Sequence, residues 1–183
     1  MTISGIEMQD RIDYRTLREE IYSVGIGELE LWKKAVVADN RLFNKLFEFI
    51  FSDDKRLSWR SAWIIDSTSE DYPELIRDRI PEIINGLVTT ANGSLKRHFT
   101  RILSRVSIPE QYLGVCVNRC FELLTPSEPP AVRVNAMQVL FNISQQLPDL
   151  KGELISVIEN LLDEGGSAGF RNRSEKLLRL LRS

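Results

Sequence analysis

The sequence holds one histidine, His98, and two cysteines, Cys116 and Cys120, in 183 residues. A lone histidine leaves little for nucleophilic catalysis, which usually sets a Ser or Cys beside a base. It also leaves too few nitrogen and sulfur ligands for a zinc site. Cys116 and Cys120 lie four apart, so on a helix they share one face. A disulfide within one helix is geometrically awkward, and both cysteines read as buried free thiols filling core space. Phosphate-binding loops are also missing. "GIG" at 25–27 and "EGGSAG" at 164–169 lack the lysine and the strand-to-helix setting of such a loop, and read as helix breaks. No spacing singles out a carboxylate pair, and Asp53–Asp54 is expected to cap the helix that follows rather than hold a metal. No enzyme activity, cofactor or metal is expected. Apolar stretches fall far short of the roughly 20 residues that span a bilayer. The opening "MTISGIEMQDRID" lacks the basic-then-apolar layout of a signal peptide. A cytoplasmic location and no membrane partner are the default expectations. The net charge of -2 gives no global reason to expect nucleic acid.

What is there is a repeat. "RLSWRSAWII" (56–65), "SLKRHFTRIL" (94–103), "AVRVNAMQVL" (131–140) and "GFRNRSEKLL" (169–178) align, with Ala62, Phe99, Ala136 and Ser174 in one column at intervals of 37, 37 and 38 residues. Ile65, Ile102, Val139 and Leu177 form the next column. Leu95, Val132 and Phe170 form a third, with Ser58 as its weak member. The same shift aligns the segments upstream: Phe43, Ile80, Val117, Ile155; then Leu46, Ile83, Cys120, Ile158; then Ile50, Leu87, Leu124, Leu162. Steps of three and four within each copy trace a buried helical stripe. Cys120 therefore stands in a column otherwise held by Leu and Ile.

Turn-rich links, "SDDKRL", "TTANGS", "PSEPPA" and "EGGSAG", separate the paired segments. The upstream helices are expected to begin at "YPEL", "IPEQ" and "LPDL", where proline suits the first turn and the following acid suits the helix dipole. Pro81 lies further in and should kink or shorten its helix. The expected fold is all-α: a right-handed α-solenoid of about four helix–turn–helix repeats (41–70, 71–107, 108–145 and 146–183). Residues 1–40 are expected to form an N-terminal helical cap, broken at "VGIGE". The first dozen residues are expected to be disordered. Units this short bury their apolar faces only by stacking.

The period, the turn and "AVRVNAMQVLFNI" resemble the HEAT-repeat class, whose second helices often start with an apolar residue and Arg, followed by a small residue. The resemblance covers about 140 residues. It implies a protein-binding scaffold with second helices lining the concave face. The position of Arg133 is held by Lys96 and Arg171 in neighbouring copies and by Trp59 in the first. Arg133 therefore reads as a repeat-pattern residue, expected to pair with an acid or a turn carbonyl.

Charge placement separates the halves: residues 1–93 have 12 basic and 17 acidic side chains, and residues 94–183 have 12 and 9. The second helices of copies two and four, 94–106 and 170–183, are the basic ones. In register, Ser61, His98, Asn135 and Arg173 form one polar column, and Ile64, Arg101, Gln138 and Lys176 another. If second helices line the concave face, the candidate binding residues are Arg97, His98, Arg101, Arg105, Asn135, Gln138, Arg173 and Lys176, suited to an acidic peptide or protein surface. Taken alone, His98 reads as an exposed surface histidine. The competing ligand is nucleic acid, whose binding needs several Lys and Arg on one surface. The overall acidity and the Asn/Gln interruption in the third copy argue against it. Trp59, Trp63 and Asp66 fall on one side of a helix and are similar in residue type to the base-recognising surface of DNA alkylation-repair glycosylases, a HEAT-like group. The plainer reading packs both tryptophans against the helix that contains Trp32. Partner identity and oligomeric state are not encoded in these patterns.

Overall fold

The structure, a computed structural model, describes residues 14–183. The expectation of disorder in the first dozen residues falls outside the described residues. Ordered structure among the described residues is entirely helical: ten α-helices and three short 3-10 segments. The chain divides into two compact units, one ending at Thr68 and the other running from Ser69 to Ser183.

The first unit contains α1 (Tyr14–Ser23), α2 (Leu29–Ala38), α3 (Asn40–Ile50) and most of α4 (Lys55–Asp71). The "VGIGE" break is a 3-10 turn over Ile26–Glu28, in which the Gly25 N–H donates to Glu28 Oε2 at 2.5 Å. α3 buries Leu42, Phe43, Leu46, Phe47, Phe49 and Ile50, an apolar arc wide enough for a helix covered on more than one side. The cap expected of Asp53–Asp54 falls on Asp54, whose Oδ1 accepts from the Arg56 and Leu57 amides at 3.0 and 3.1 Å. The Tyr22 hydroxyl also donates to Asp54 and, with those amides, holds its carboxyl below the ordinary aspartate range. Ser58, the weak member of its core column, is buried after all. Its hydroxyl donates to the Ile50 carbonyl at 2.6 Å, satisfying an end group that α3 leaves open.

The second unit stacks α5 (Ile80–Thr89), α6 (Gly93–Leu103), α7 (Leu113–Glu122), α8 (Pro130–Ser144), α9 (Leu150–Asp163) and α10 (Ala168–Arg182). α5 packs on α6, α7 on α8 and α9 on α10; α8 also lies against α6 and α10. Turn chemistry sets the second-helix starts. Asn92 Oδ1 accepts from the Ser94 amide at 3.0 Å, and Ser167 Oγ from the Phe170 amide at 3.3 Å. The first helices start differently from expectation. "YPEL" opens a 3-10 stretch, Pro73–Arg79, and α5 begins only at Ile80, with Pro81 in its first turn. Pro81 has no N–H to continue an α-helix through it, so the helix is shortened rather than kinked. "IPEQ" likewise gives a 3-10 turn, Glu110–Tyr112, before α7.

The columns read from the sequence are the core. Ala62, Phe99, Ala136 and Ser174 are each fully buried, as are Ile65, Ile102, Val139 and Leu177 at no more than 1% exposure. The thiols of Cys116 and Cys120 are free and buried within α7. Desolvation pushes Cys116 up to about 11, and Cys120 higher still. Both thiols hold their protons more tightly folded than unfolded. Their contribution to stability is full below the unfolded thiol range of about 8.5 and is lost as pH rises from there, toward 11 for Cys116 and beyond it for Cys120. A thiol-reactive dye at pH 7 is therefore expected to label neither cysteine until the chain is denatured. Rapid labelling of the native chain would contradict this.

A polar face on the second helices

The stripes above leave polar arcs on α6 and α10; α8, covered by α6, α7, α9 and α10, keeps only Asn135, Gln138 and Asn142 as half-buried polar residues near its neighbours. α6 lies inside a row, packed on α5 on one side and α8 on another. Its buried arc therefore widens from Leu95, Phe99 and Ile102 to take in His98, one residue from Phe99. His98 is only 4% exposed, which corrects the reading of an exposed histidine and removes it from the accessible face.

The candidate residues on α6, on α8 and on α10 do come together, through hydrogen bonds that cross between repeats. Arg173 Nη2 on α10 donates to Gln138 Oε1 on α8 at 2.5 Å. Gln138 Nε2 donates to Asn142 Oδ1 at 2.7 Å, and Asn142 Nδ2 donates to the Ser104 carbonyl just past α6 at 2.8 Å. Asn135 Nδ2 reaches the Arg97 carbonyl at 3.5 Å. The Asn/Gln residues of the third copy are thus the bridging members of the ladder, not a gap in it. An amide carries both a donor and an acceptor and can connect an arginine to a carbonyl, as no second cation could. Asn142 was not among the sequence candidates. Its signal was its place four residues beyond Gln138, on the same side of the helix.

Arg101 and Arg105 meet an acid that the sequence reading left out. Glu70, in the last turn of α4, lies 2.5 Å from Arg101 Nη2 and 3.6 Å from Arg105 Nη1. Arg105 Nη2 also donates to Ser69 Oγ at 3.2 Å. The Arg101 and Glu70 side chains are 35% and 49% exposed, so the pair contributes at most about 1 kcal/mol after solvent screening. Arg97 and Lys176 are the candidates that stand exposed on the surface.

Arg133 needs a correction of another kind. It is buried, and its guanidinium carbon lies 4.2 Å from the centre of the Phe170 ring. The expected acid or turn carbonyl is not its partner. Arg119 on α7 instead takes carbonyls at the C-terminal end of α5: its Nε donates to Leu87 O at 3.0 Å and its Nη2 reaches Thr90 O at 3.5 Å.

In the first unit, Trp59 and Trp63 stack on each other with ring centres 6.3 Å apart. The Arg60 guanidinium lies over both rings, and Arg60 donates to the Val24 carbonyl. Asp66 is fully buried and is not part of an open surface with the half-buried tryptophans, so the base-recognition arrangement does not form. Among the described residues no group of three or more His, Cys, Asp or Glu is placed to hold a metal ion. No described helix is long and apolar enough to cross a membrane.

Paired helices, one apolar stripe per helix and side chains bridging successive second helices define an α-helical repeat protein. The sequence matches the family described as the HEAT repeat domain over residues 15–180, and the chain belongs to that family. Searches of curated proteins and of solved structures return no match.

Proposed function

We propose that this protein is a non-enzymatic scaffold or adaptor that binds another protein, or an acidic peptide, through the face of α6, α8 and α10. In this reading the repeats number four, wind in a right-handed sense, follow an N-terminal cap over residues 1–40 and present that face as the concave one. The protein acts in the cytoplasm. The observation that carries the reading is the ladder Arg173–Gln138–Asn142–Ser104. It fixes polar side chains of α8 and α10 relative to each other and to the backbone at the end of α6. A surface ordered before binding loses less side-chain entropy when a partner arrives. Arg97 and Lys176, exposed at the two ends of this face, supply uncommitted positive charge for an acidic partner.

The test is Arg97→Glu combined with Lys176→Glu. Both side chains are exposed, so the variant is expected to keep the helical circular dichroism and melting temperature of the wild type. Affinity purification from native cells is expected to lose the partners that the wild type retains by at least tenfold in yield. An unchanged partner set would reject the face. If the ligand is nucleic acid, the wild type shifts labelled DNA at low salt and releases it steeply as salt rises.

A further inference from the structure

We propose that the start of α8 carries a socket for a single carboxylate of a partner polypeptide, with Arg133 as the residue that receives it. The proposal does not depend on the face described above, because Arg133 stands in a different column from the ladder.

Lys96, one copy earlier, reaches into the turn before the next second helix and pairs there with Glu128. Shifting that pair to the next copy moves Lys96 to Arg133 by 37 residues and Glu128 to Gly166 by 38, the offsets of the core columns. The basic member of the pair persists and the acidic member does not. Gly166 is itself constrained. Its φ is +156°, and a Cβ built there would lie 2.7 Å from Phe170 Cδ1. The turn backbone thus runs too close to the Phe170 ring to admit a side chain at 166, and Arg133 stands over that ring.

Arg133 is 7% exposed, and its Nε and Nη2 are sealed from solvent without a hydrogen-bond partner among the described residues. Nη1 is the one guanidinium nitrogen not sealed in this way. A buried cation lacking acceptors is costly, and a buried donor left unmet costs more than a made bond returns. The first turn of α10 adds the positive end of a helix dipole beside the ring, because Phe170 is its third residue. Arg171 lies next along the chain, with Nε directed to the Gly166 carbonyl at 3.4 Å. Each of these local fields favours an incoming anion. A carboxylate oxygen can accept from Nη1, the nitrogen left open, and offset the buried charge, and for Lys96 the chain itself places a carboxylate at the corresponding point.

The test is a side-chain NMR titration of the full chain with sodium acetate against sodium chloride at matched ionic strength. An acetyl-tetraglutamate amide peptide serves as the second probe. The Arg133 Nε–Hε signal, assigned by its loss in Arg133→Met, is expected to move saturably with a midpoint on the order of millimolar for acetate. It should saturate earlier for the peptide, while the exposed Arg97 signal only drifts. Saturation by acetate without any gain for the peptide would mean a small-anion site and would overturn the polypeptide assignment. A linear Arg133 response no larger than that of Arg97 would overturn the socket itself. Melting of Arg133→Met gives an independent arm. A residue kept for a ligand is expected to be replaced with no loss of melting temperature, because Met removes the unmet donors. A fall of about 4 °C or more together with a linear titration would assign Arg133 to structure alone.

Discussion

Replacing Phe99 with alanine is expected to cost about 3–5 kcal/mol of unfolding free energy, out of a total that for a domain of this kind is about 5–15 kcal/mol. Phe99 is fully buried on α6, and it is one of the largest side chains with no exposure. Its column counterpart on α8, the helix packed on α6, is Ala136. The large ring therefore fills space that its counterpart does not, and truncation leaves a cavity that small residues on α8 cannot close. Urea denaturation followed by circular dichroism measures the loss. Val88→Ala, at a position 41% exposed, is the matched control and should stay within about 0.5 kcal/mol of the wild type. A Phe99→Ala loss no larger than that of the control would mean that α6 does not carry the core.

Lys96→Met is expected to cost about 2–3 kcal/mol, and a second change, Glu128→Leu, to restore most of it. The two side chains are 14% and 15% exposed, so removing the lysine strands a nearly buried carboxylate. That exposure places the figure below the range for fully buried pairs. Removing both partners leaves two apolar side chains in contact and no orphan. The double-mutant cycle reads the coupling directly. Single losses that simply add would show that the pair does not interact in solution. The same structural position carries a satisfied cation in one copy and an unmet one in the next.

The fold was legible because it is a pattern property. Every core column read from spacing is buried or half-buried, since a stripe at helical steps has only one way to leave water. Helix starts were legible where a side chain caps, as at Asp54 and Ser167. They were shifted where proline truncates the first turns, as at Pro81. The polar face was legible only by column. Register placed Gln138 and Arg173 on facing helices but did not say that Gln138 accepts from Arg173 while donating to Asn142. Hydrogen-bond partners depend on rotamers and on helix offset, which no one-dimensional pattern carries. Glu70 was missed because it lies in the last turn of α4, after the aligned segment ends. His98 was misjudged because the width of a buried arc depends on how many neighbours a helix has. One sequence window cannot report that number.

In the ladder of the second unit, each bond that crosses between repeats joins residues about one repeat apart in the chain. Asn142 to Ser104 and Arg173 to Gln138 span 38 and 35 residues, and outside the ladder Arg119 on α7 reaches Leu87 on α5 across 32. No side-chain bond of this ladder reaches past the adjacent copy. The second unit is therefore wired like a zipper, with loops of one fixed size to close and no long-range closure to wait for. Opening the last pair, α9 and α10, removes partners chiefly from α8, while α5 and α6 keep their main contacts. Loss of order can thus travel inward one pair at a time, so backbone protection should be graded along the row.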